Sequence, residues 1–484
     1  MKPPVSATNI DGRAAAILAV VDVLTGRGFA RETLERLRGG GQLDGRPAAL
    51  ARETSHGALR HLVTIEHVLT RLARLDFERT KPTLRAILLT AAYQIIWMDR
   101  IPIFAAVDQA VESARCHVGG RTPGMVNAVL RRLAGAVVER RTTWRPRDAT
   151  LVRVGWDTAC RFKCAVLPAP DDLTEHLAAA TGERRDRFEE LAARYGVDTA
   201  EQVAWASRAV PATVLQRNVL RISAADFEDQ LRQAVGPEVE FAADAAFLPA
   251  SVRVLDGPLF QGGSLYIQDA TAHAAAAAVA ARPGERILDL CAAPGGKSVA
   301  LAIAMNDTGE VVACDTDAER LARVRENAAR LGLRCVRAVP LTGGTPMFPG
   351  TGETPMLSRA DETLVAPGFD AALVDVPCSN TGVVARRPEA RLGLTPAKLR
   401  SLVAVQHDLV REAARRVRPG GRLVYSTCSL EPQENEDVVA FFLAEHPEWR
   451  VDVERTTLPA WGPHARDWRD GGYFARLVNR AATP

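Results

Sequence analysis

The sequence has few lysines, few aromatic residues and no segment typical of a targeting signal. Lysine is restricted to Lys2, Lys81, Lys163, Lys297 and Lys398, so arginine supplies nearly all of the positive charge. The aromatic fraction is 5%. The early segment does not combine a basic start with a long apolar run, so we expect no signal peptide. The Ala-rich stretch 272–281 is too short to span a bilayer, so we expect no membrane association and a cytoplasmic protein.

The cysteines do not follow a complete metal-binding pattern. They stand at Cys116, Cys160, Cys164, Cys291, Cys314, Cys335, Cys378 and Cys428, mostly within apolar runs where a reduced, buried thiol is the ordinary interpretation. The spacing of Cys160 and Cys164 is compatible with half of a metal site, but no second pair with zinc spacing follows. We therefore predict no metal.

Length and charge indicate several domains. A chain of 484 residues exceeds what one hydrophobic core usually supports. The net charge is only +3, yet residues 1–150 hold 23 basic and 14 acidic side chains. This basic portion is compatible with contact to a phosphate backbone, and a solvated helical surface explains it nearly as well.

Hydrophobic spacing predicts an all-α region first and a mixed region after it. Apolar residues recur at helical spacing through residues 8–140. The proline-containing stretch 141–181 has the composition of an irregular linker. Residues 182–256 mix both patterns, with a strand over 212–223 and a helix over 225–235, which predicts a small α+β module.

The remainder, residues 257–482, alternates between strands and helices. Five strand-like runs stand at 286–292, 310–315, 334–339, 369–377 and 421–428. Helices are expected between most of them, such as 317–331 and 396–418, with Gly420 and Gly421 ending the latter. This alternation predicts a doubly wound parallel sheet, whose ligands bind beyond the carboxyl ends of the strands. Residues 341–368, rich in Gly, Pro and Thr, predict an exposed insertion loop.

The first and second of these strands end in residues suited to a small ligand. The first leads into "DLCAAPGGKS" (289–298), where Gly295 and Gly296 let the backbone approach a ligand and the next helix offers amides to an anion. The spacing fits neither a Walker loop nor GxGxxG, and a methionine carboxylate would suit it. Asp315, at the second strand end, can accept hydrogen bonds from two ribose hydroxyls, and a helix cap is the alternative.

Two further strand ends each carry a cysteine. The fourth strand leads into "DVPCSNTG" (375–382), and the fifth into "STCS" (426–429). Either cysteine alone would be weak evidence of function. Because both strand ends should lie on one rim with the glycine loop, we predict that Cys378 and Cys428 lie close together.

These blocks resemble a known family. "LDLCAAPGGKS", "VDVPCSNTGV" and "YSTCSLEPQENE" are similar to the signature blocks of the RsmB/Sun (Fmu) family of 16S rRNA (cytosine-5) methyltransferases. "YIQDATA" (266–272) and "DGGYFARLVNR" (470–480), the latter like the family's last strand, extend the resemblance. "PIFAAVDQAVESAR" (102–115) and "GMVNAVLRRL" (124–133) resemble the NusB-type RNA-binding domain. The implied architecture is an all-α NusB-like domain, a small α+β RNA-contacting module and an α/β Rossmann-like S-adenosylmethionine-dependent methyltransferase domain.

The resemblance also implies roles for particular residues. Cys428 would be the nucleophile that adds to carbon 6 of cytosine and makes carbon 5 reactive, and Cys378 would help to remove the carbon-5 proton. Asp375 would lie near the base and the methyl donor. The cofactor S-adenosyl-L-methionine would be held by Cys291, Ala292, Ala293, Pro294, Gly295, Gly296, Lys297, Asp315 and Asp375. Arg386, Arg387 and Arg391 are candidates for phosphate contact, with a solvated turn as the alternative.

One departure from the family stands after the third strand. Members usually carry an acidic residue there, on the adenine side of the cofactor, whereas this chain reads "AVPLTGGTP" (338–346). Either the insertion replaces that contact or the affinity for cofactor is lower.

The expected partner is 16S rRNA, free or in a partly assembled small subunit, bound by a monomer. Two alternatives stay open. One is a cytosine-5 methyltransferase of another RNA such as tRNA, since the catalytic blocks are shared; the other is a non-catalytic RNA-binding assembly factor. DNA cytosine-5 enzymes fit less well, because in them the Pro-Cys block supplies the nucleophile.

Overall fold

The chain divides into two compact units. The computed structural model describes residues 10–249, 252, 254–341 and 366–480. One unit comprises Met1–Ala209 with Arg387–Gly393, and the other comprises Val210–Arg386 with Leu394–Pro484. None of the helices within these described ranges is long and apolar enough to cross a membrane.

The first unit opens with seven helices, which confirms the all-α prediction for this part of the chain. They are α1 (Gly12–Leu24), α2 (Ala30–Gly39), α3 (Gly45–Arg60), α4 (Leu62–Ala73), α5 (Pro82–Trp97), α6 (Ile103–His117) and α7 (Thr122–Ala136). The α1 helix begins where the Asp11 carboxylate accepts the Arg13 amide at 2.9 Å, satisfying a donor that the helix itself leaves open. From Ala86 to Trp97 the α5 helix is buried on all sides, so it forms the centre of this bundle.

The expected linker over 141–181 is wrong. An antiparallel sheet of order β1-β3-β2 occupies much of it, built from β1 (Val137–Thr143), β2 (Leu151–Arg153) and β3 (Thr158–Phe162). The helices α8 (Leu173–Thr181), α9 (Arg185–Tyr195) and α10 (Val197–Arg208) follow in the same unit. The prolines that suggested a linker lie outside these strands, where their missing N–H groups interrupt no ladder.

The second unit begins with the small α+β module, which was predicted over 182–256 but starts after Ala209, because the helices up to Arg208 belong to the first unit. Its sheet has the order β5-β6-β4-β7, from β4 (Thr213–Arg217), β5 (Glu240–Ala242), β6 (Ala245–Leu248) and β7 (Leu265–Ile267), with helices α11 (Ala224–Val235) and α12 (Pro258–Gln261). The strand predicted over 212–223 therefore stops early. Buried Asn218 ends it, because its side-chain amide donates to the Gly263 carbonyl at 2.9 Å and its oxygen accepts the Leu220 amide.

A seven-stranded sheet dominates this unit. Its order is β10-β9-β8-β11-β12-β14-β13. The strands are β8 (Arg286–Leu290), β9 (Glu310–Asp315), β10 (Val336–Pro340), β11 (Phe369–Asp375), β12 (Val417–Thr427), β13 (Trp449–Thr457) and β14 (Gly472–Asn479). The helices are α13 (Ala270–Ala277), α14 (Gly296–Ala304), α15 (Ala318–Leu331), α16 (Pro396–Arg416) and α17 (Glu436–Glu445). Apolar clusters pack on both of its faces, as predicted for a doubly wound sheet.

Two details of this sheet correct the prediction. The sheet is mixed, since β14 runs antiparallel to both β12 and β13. The alternation of elements did not reveal this, because β13 and β14 follow each other without a helical crossover. Gly420 and Gly421 lie within β12, so α16 ends earlier than expected, at Arg416. The insertion predicted over 341–368 lies outside the described residues apart from its two ends.

Candidate active site

The carboxyl ends of parallel strands bring the predicted residues to one edge of the large sheet. Asp375, the last residue of β11, pairs in register with Ser426 of β12. On the other side of β11, Val374 pairs with Leu290, where β8 ends and the glycine loop begins. The loops after these three strands therefore meet beside β11, as such strand ends do in doubly wound folds.

The two cysteines lie together, as the sequence predicted. The Cys378 and Cys428 sulfur atoms are 3.2 Å apart, and the Cys428 thiol also donates to the Asn380 side-chain oxygen at 3.3 Å. Cys378 is buried and Cys428 is half-buried. The hydrogen bond with Cys428 and the burial of Cys378 raise the Cys378 pKa well above its ordinary value, since two thiolates cannot share so small a space.

A network of hydroxyl groups holds the two cysteine loops together. The Ser379 and Ser429 hydroxyl oxygens are 3.0 Å apart, and the Leu430 amide donates to the Thr381 hydroxyl at 2.9 Å. Buried Glu434 completes the network by accepting the Ser379 amide at 2.9 Å. Sequence reasoning missed these residues. The segment after Cys428 reads "SLEPQENE" (429–436) and holds several acidic residues, so nothing in the sequence singles out Glu434 among them.

Lys297 and Asp375 connect the glycine loop to the cysteine strands. The Lys297 ammonium nitrogen donates to one Asp375 oxygen at 2.6 Å, and the Ser426 hydroxyl donates to the other at 2.6 Å. Burial acts to lower the Lys297 pKa, but the carboxylate of Asp375 outweighs it and raises the pKa overall. A cation is therefore fixed beside the strand ends that carry the two thiols.

The glycine loop offers unused donors to an anion. The α14 helix begins after Gly295, whose φ of +100° is in the left-handed region, and no side chain caps the helix. The first-turn amides, including those of Gly296 and Lys297, therefore have no acceptor within the helix and can donate to an anion. Asp315 is already engaged in part, since its oxygens accept the Ala293 and Asp317 amides at 3.0 Å each.

Other residues of the predicted cofactor loop stabilise the conformation of the loop. The Ala292 amide donates to the Cys314 carbonyl at 2.8 Å, and Ala292 and Ala293 pack in a small apolar cluster with α15. Burial and the nearby Asp315 raise the Cys291 pKa well above its ordinary value, which keeps that thiol protonated. Cys291 thus suits a lining role.

Of the three candidate arginines, one lies in the protein interior, one is half-buried and one is exposed. Arg391 is 7% exposed, and its guanidinium donates to the Gly182 carbonyl and, at 3.4 Å, to that of Ser207. Arg386 pairs with Asp470. Arg391 was a candidate for phosphate contact, and this is corrected because its donors bind buried carbonyl groups, whereas half-buried Arg386 stays a candidate beside its ion pair. Arg387 is exposed and stays a candidate.

The chain is similar to methyltransferases over almost its whole length. The family model described as 16S rRNA methyltransferase RsmB/F matches residues 276–460, and the NusB family model matches residues 11–135. The ribosomal RNA small subunit methyltransferase B of Yersinia enterocolitica is 31% identical, with 89% of this chain and 90% of that protein covered. A probable enzyme of the same name from Bacillus subtilis is 29% identical, with 94% of each covered.

Solved structures share the fold. The crystal structure of PH0851 has a TM-score of 0.69 and 20% identity, covering 98% of this chain and 100% of that one. A methyltransferase homolog protein from Pyrococcus horikoshii has a TM-score of 0.50 and 23% identity, covering 64% of this chain and 99% of that one.

The strand order, the glycine loop and these matches define a Rossmann-like methyltransferase preceded by a NusB-type helical domain. The chain belongs to the ribosomal RNA small subunit methyltransferase B (RsmB/Sun) family. Membership implies RNA methylation with S-adenosyl-L-methionine as the methyl donor.

Proposed function

We propose that this protein methylates carbon 5 of a cytosine in 16S rRNA through a covalent bond between Cys428 and the base. The observation that carries the proposal is the 3.2 Å separation of the Cys378 and Cys428 sulfur atoms beside the glycine loop. The names of the relatives and the match to the NusB family support an rRNA substrate. We further propose that the helical domain and the small α+β module contact the RNA.

The residues of the glycine loop fit the methyl donor. The uncapped amides of Gly296 and Lys297 suit its carboxylate, and Asp315 keeps one lone pair on each oxygen for the ribose hydroxyls. Cys291 through Pro294 would line the same pocket. When bound, S-adenosyl-L-methionine supplies a methyl group on a positively charged sulfur, which an electron-rich carbon can take.

Cys428 makes carbon 5 of the base electron-rich. Its thiolate adds to carbon 6, and the electron pair of the carbon 5–carbon 6 bond moves onto carbon 5 and the ring. Carbon 5 can then accept the methyl group. Asp375 lies between Lys297 and Ser426. There it can hydrogen-bond the cytosine ring as the charge on the ring changes.

Cys378 completes the reaction by taking the carbon-5 proton. Once Cys428 is bonded to carbon, it no longer carries a competing charge, and Cys378 can release its own proton to solvent. The Cys378 thiolate then accepts the proton from carbon 5. The electron pair of that C–H bond restores the ring double bond and expels Cys428 as a thiolate.

Mapping 5-methylcytosine tests the proposal directly. In cells that lack this protein, one cytosine of 16S rRNA should lose its methyl group, and the wild-type gene should restore it. Cys428→Ala should fail to restore it, whereas Cys116→Ala, a matched change at an exposed cysteine, should succeed. Methylation by the Cys428→Ala variant would remove Cys428 from the mechanism. A lost methyl group in tRNA with intact 16S rRNA would assign the enzyme to that RNA.

A further inference from the structure

Glu434 is a fully buried carboxylate at the base of both cysteine loops. One of its oxygens accepts the Ser379 amide at 2.9 Å and the Gln406 side-chain amide at 3.0 Å, while the other accepts the Ser379 hydroxyl. Each of these contacts brings a donor to Glu434, an arrangement that suits an ionised carboxylate. Its backbone carbonyl also accepts the Tyr425 hydroxyl at 2.6 Å, which fixes the residue against β12.

The two thiols have different charged neighbours. Glu434 is held by the residue that follows Cys378, and its negative charge contributes to the raised Cys378 pKa, after the effects of the Cys428 hydrogen bond and of burial. On the other side, Lys297 is close enough to Cys428 for the two to interact electrostatically. The charge of Glu434 thus disfavours ionisation of Cys378.

The remaining titratable neighbours of Cys378 do not offset the effect of Glu434. From β12 and the loop after it, Cys378 faces Cys428 and Tyr425, and from the following turn it faces Glu434. Burial and the Cys378 thiol itself raise the Tyr425 pKa, so that phenol stays neutral. Glu434 is therefore a buried carboxylate that acts on Cys378 through the residue next to it.

We propose that Glu434 is a positioning residue whose buried charge keeps the proton on Cys378 and leaves Cys428 as the sulfur that ionises first. The assignment rests on the proposed cysteine mechanism and deepens it, because it explains which of two adjacent thiols is the nucleophile. Before the base is bound, Cys378 donates its hydrogen bond to the Cys428 sulfur. After Cys428 has bonded to carbon 6, the strongest influence that keeps Cys378 protonated is gone, and Cys378 becomes available as the base.

Glu434→Gln isolates the charge from the geometry. The glutamine oxygen can accept the Ser379 and Gln406 amides, and its nitrogen can donate to the Ser379 hydroxyl, which can turn toward Ser429. The hydrogen bonds are thus retained while the negative charge is lost. Glu431→Gln is the matched control, because it removes another buried carboxylate from the same loop.

The readout is the pH dependence of alkylation of each thiol by iodoacetamide in the full-length protein without RNA or cofactor. A thiolate attacks the reagent and displaces iodide, so peptide-resolved mass spectrometry gives a separate titration midpoint for Cys378 and for Cys428. Limited access to buried Cys378 slows its reaction at every pH but leaves the midpoint in place. The midpoint therefore reports protonation, and a merely structural role for Glu434 would not move it.

In the wild-type protein and in Glu431→Gln, Cys428 should titrate below Cys378. Glu434→Gln should lower the Cys378 midpoint, so that at a fixed pH its reactivity relative to Cys428 rises on the order of tenfold, the change that one pKa unit brings. An unchanged Cys378 midpoint in folded Glu434→Gln overturns the proposal. If that variant does not fold, the two midpoints in the wild-type protein decide the question. A wild-type Cys378 midpoint below that of Cys428 also overturns the proposal.

These results are independent of the proposed function. A lowered Cys378 midpoint in Glu434→Gln, with no 5-methylcytosine product from the wild-type enzyme, would support the inference and reject the cytosine-5 mechanism. Methylation through Cys428 in the wild-type enzyme, with the same Cys378 midpoint in Glu434→Gln, would support the cytosine-5 mechanism and reject the inference.

Discussion

Lys297, on the first turn of α14, places its ammonium nitrogen 2.6 Å from Oδ2 of Asp375, at the end of β11. The two side chains are 15% and 35% exposed, so the pair is shielded from bulk water on the lysine side. This contact joins the loop that suits the methyl donor to the strand that leads to Cys378. The ion pair therefore adds a side-chain link to the backbone pairing that already joins β8 and β11.

Lys297→Met should reduce methyl transfer by about 100-fold, because the loop and the strand end lose their common anchor and Asp375 keeps an unpaired charge. Transfer of radiolabelled methyl groups to rRNA at saturating substrates measures this, and calorimetry separates it from cofactor affinity. Lys398→Met, at a partly exposed site near the start of α16, should retain wild-type rates. Equal activity of both variants would show that the pair does not position the reactants.

Cys378→Ala should accumulate a covalent protein–RNA adduct, because Cys428 can still add to the base while proton removal and release are blocked. Denaturing gel electrophoresis with labelled RNA and cofactor measures the adduct. The double variant Cys378→Ala/Cys428→Ala should form none, which assigns the bond to Cys428. A Cys378→Ala enzyme that turns over normally without an adduct would contradict the role given to Cys378.

Asp289→Asn should change how stability depends on pH. Burial raises the Asp289 pKa from 3.8 to about 7, and the hydrogen bond from Ser298 offsets only part of this. Between these values the unfolded chain releases a proton that the folded protein retains, so rising pH destabilises the wild-type protein. The full effect is about 4 kcal/mol, of which roughly 3 kcal/mol should develop between about pH 5 and about pH 8.

Urea unfolding of both proteins across that range measures the effect. The difference in unfolding free energy between Asp289→Asn and the wild type should increase with pH in favour of the variant. A constant difference would mean that Asp289 does not titrate in this window.

Much of the catalytic half was predictable because local patterns and global topology agree there. The parallel strands β8, β9 and β11 are mainly apolar and buried, which is how strands covered on both faces read in a sequence. Residues at the ends of adjacent parallel strands must share one edge, so the proximity of Cys378 and Cys428 followed from the order of elements alone. Their contact distance and the polarity around each sulfur required the structure.

The wrong predictions have one physical cause, which is contacts between residues that are distant in sequence. Residues 141–181 are interrupted by prolines at turns, and the short strands between them are stabilised by pairing rather than by their own periodicity. Arg391 follows two other arginines near Cys378, which in a sequence is typical of a phosphate site. Its partners, Gly182 and Ser207, are about two hundred residues away in sequence and could not be anticipated. Glu434 was missed because only the fold brings it to Ser379.

Arg391→Met should destabilise the first unit by about 3 kcal/mol, since buried carbonyl groups, including those of Gly182 and Ser207, lose their donor. Arg387→Met, at the exposed neighbour, should cost less than about 1 kcal/mol. Thermal and urea unfolding measure both. If Arg391 instead bound phosphate, its replacement would leave stability intact and reduce the salt dependence of RNA binding.

Gly382→Ala should disable catalysis by separating the two cysteine loops. The Gly382 amide donates to the Cys428 carbonyl at 2.9 Å, and its carbonyl accepts the Gly471 amide at 2.8 Å. A methyl group at this position would lie 2.7 Å from the Gly471 carbonyl carbon and 2.9 Å from the Cys428 oxygen, so backbone must move. A shift of about 1 Å in the Cys428 loop is sufficient to reduce the rate by about 100-fold.

The matched control is Gly135→Ala, in α7, where an added methyl group meets nothing within 4 Å. It should leave methylation unchanged and stabilise the protein by up to about 1 kcal/mol, because alanine favours the helix. Methyl-transfer rates and thermal unfolding of both variants provide the comparison. A Gly382→Ala protein with wild-type activity would show that the close approach of these two loops is not required to align Cys428.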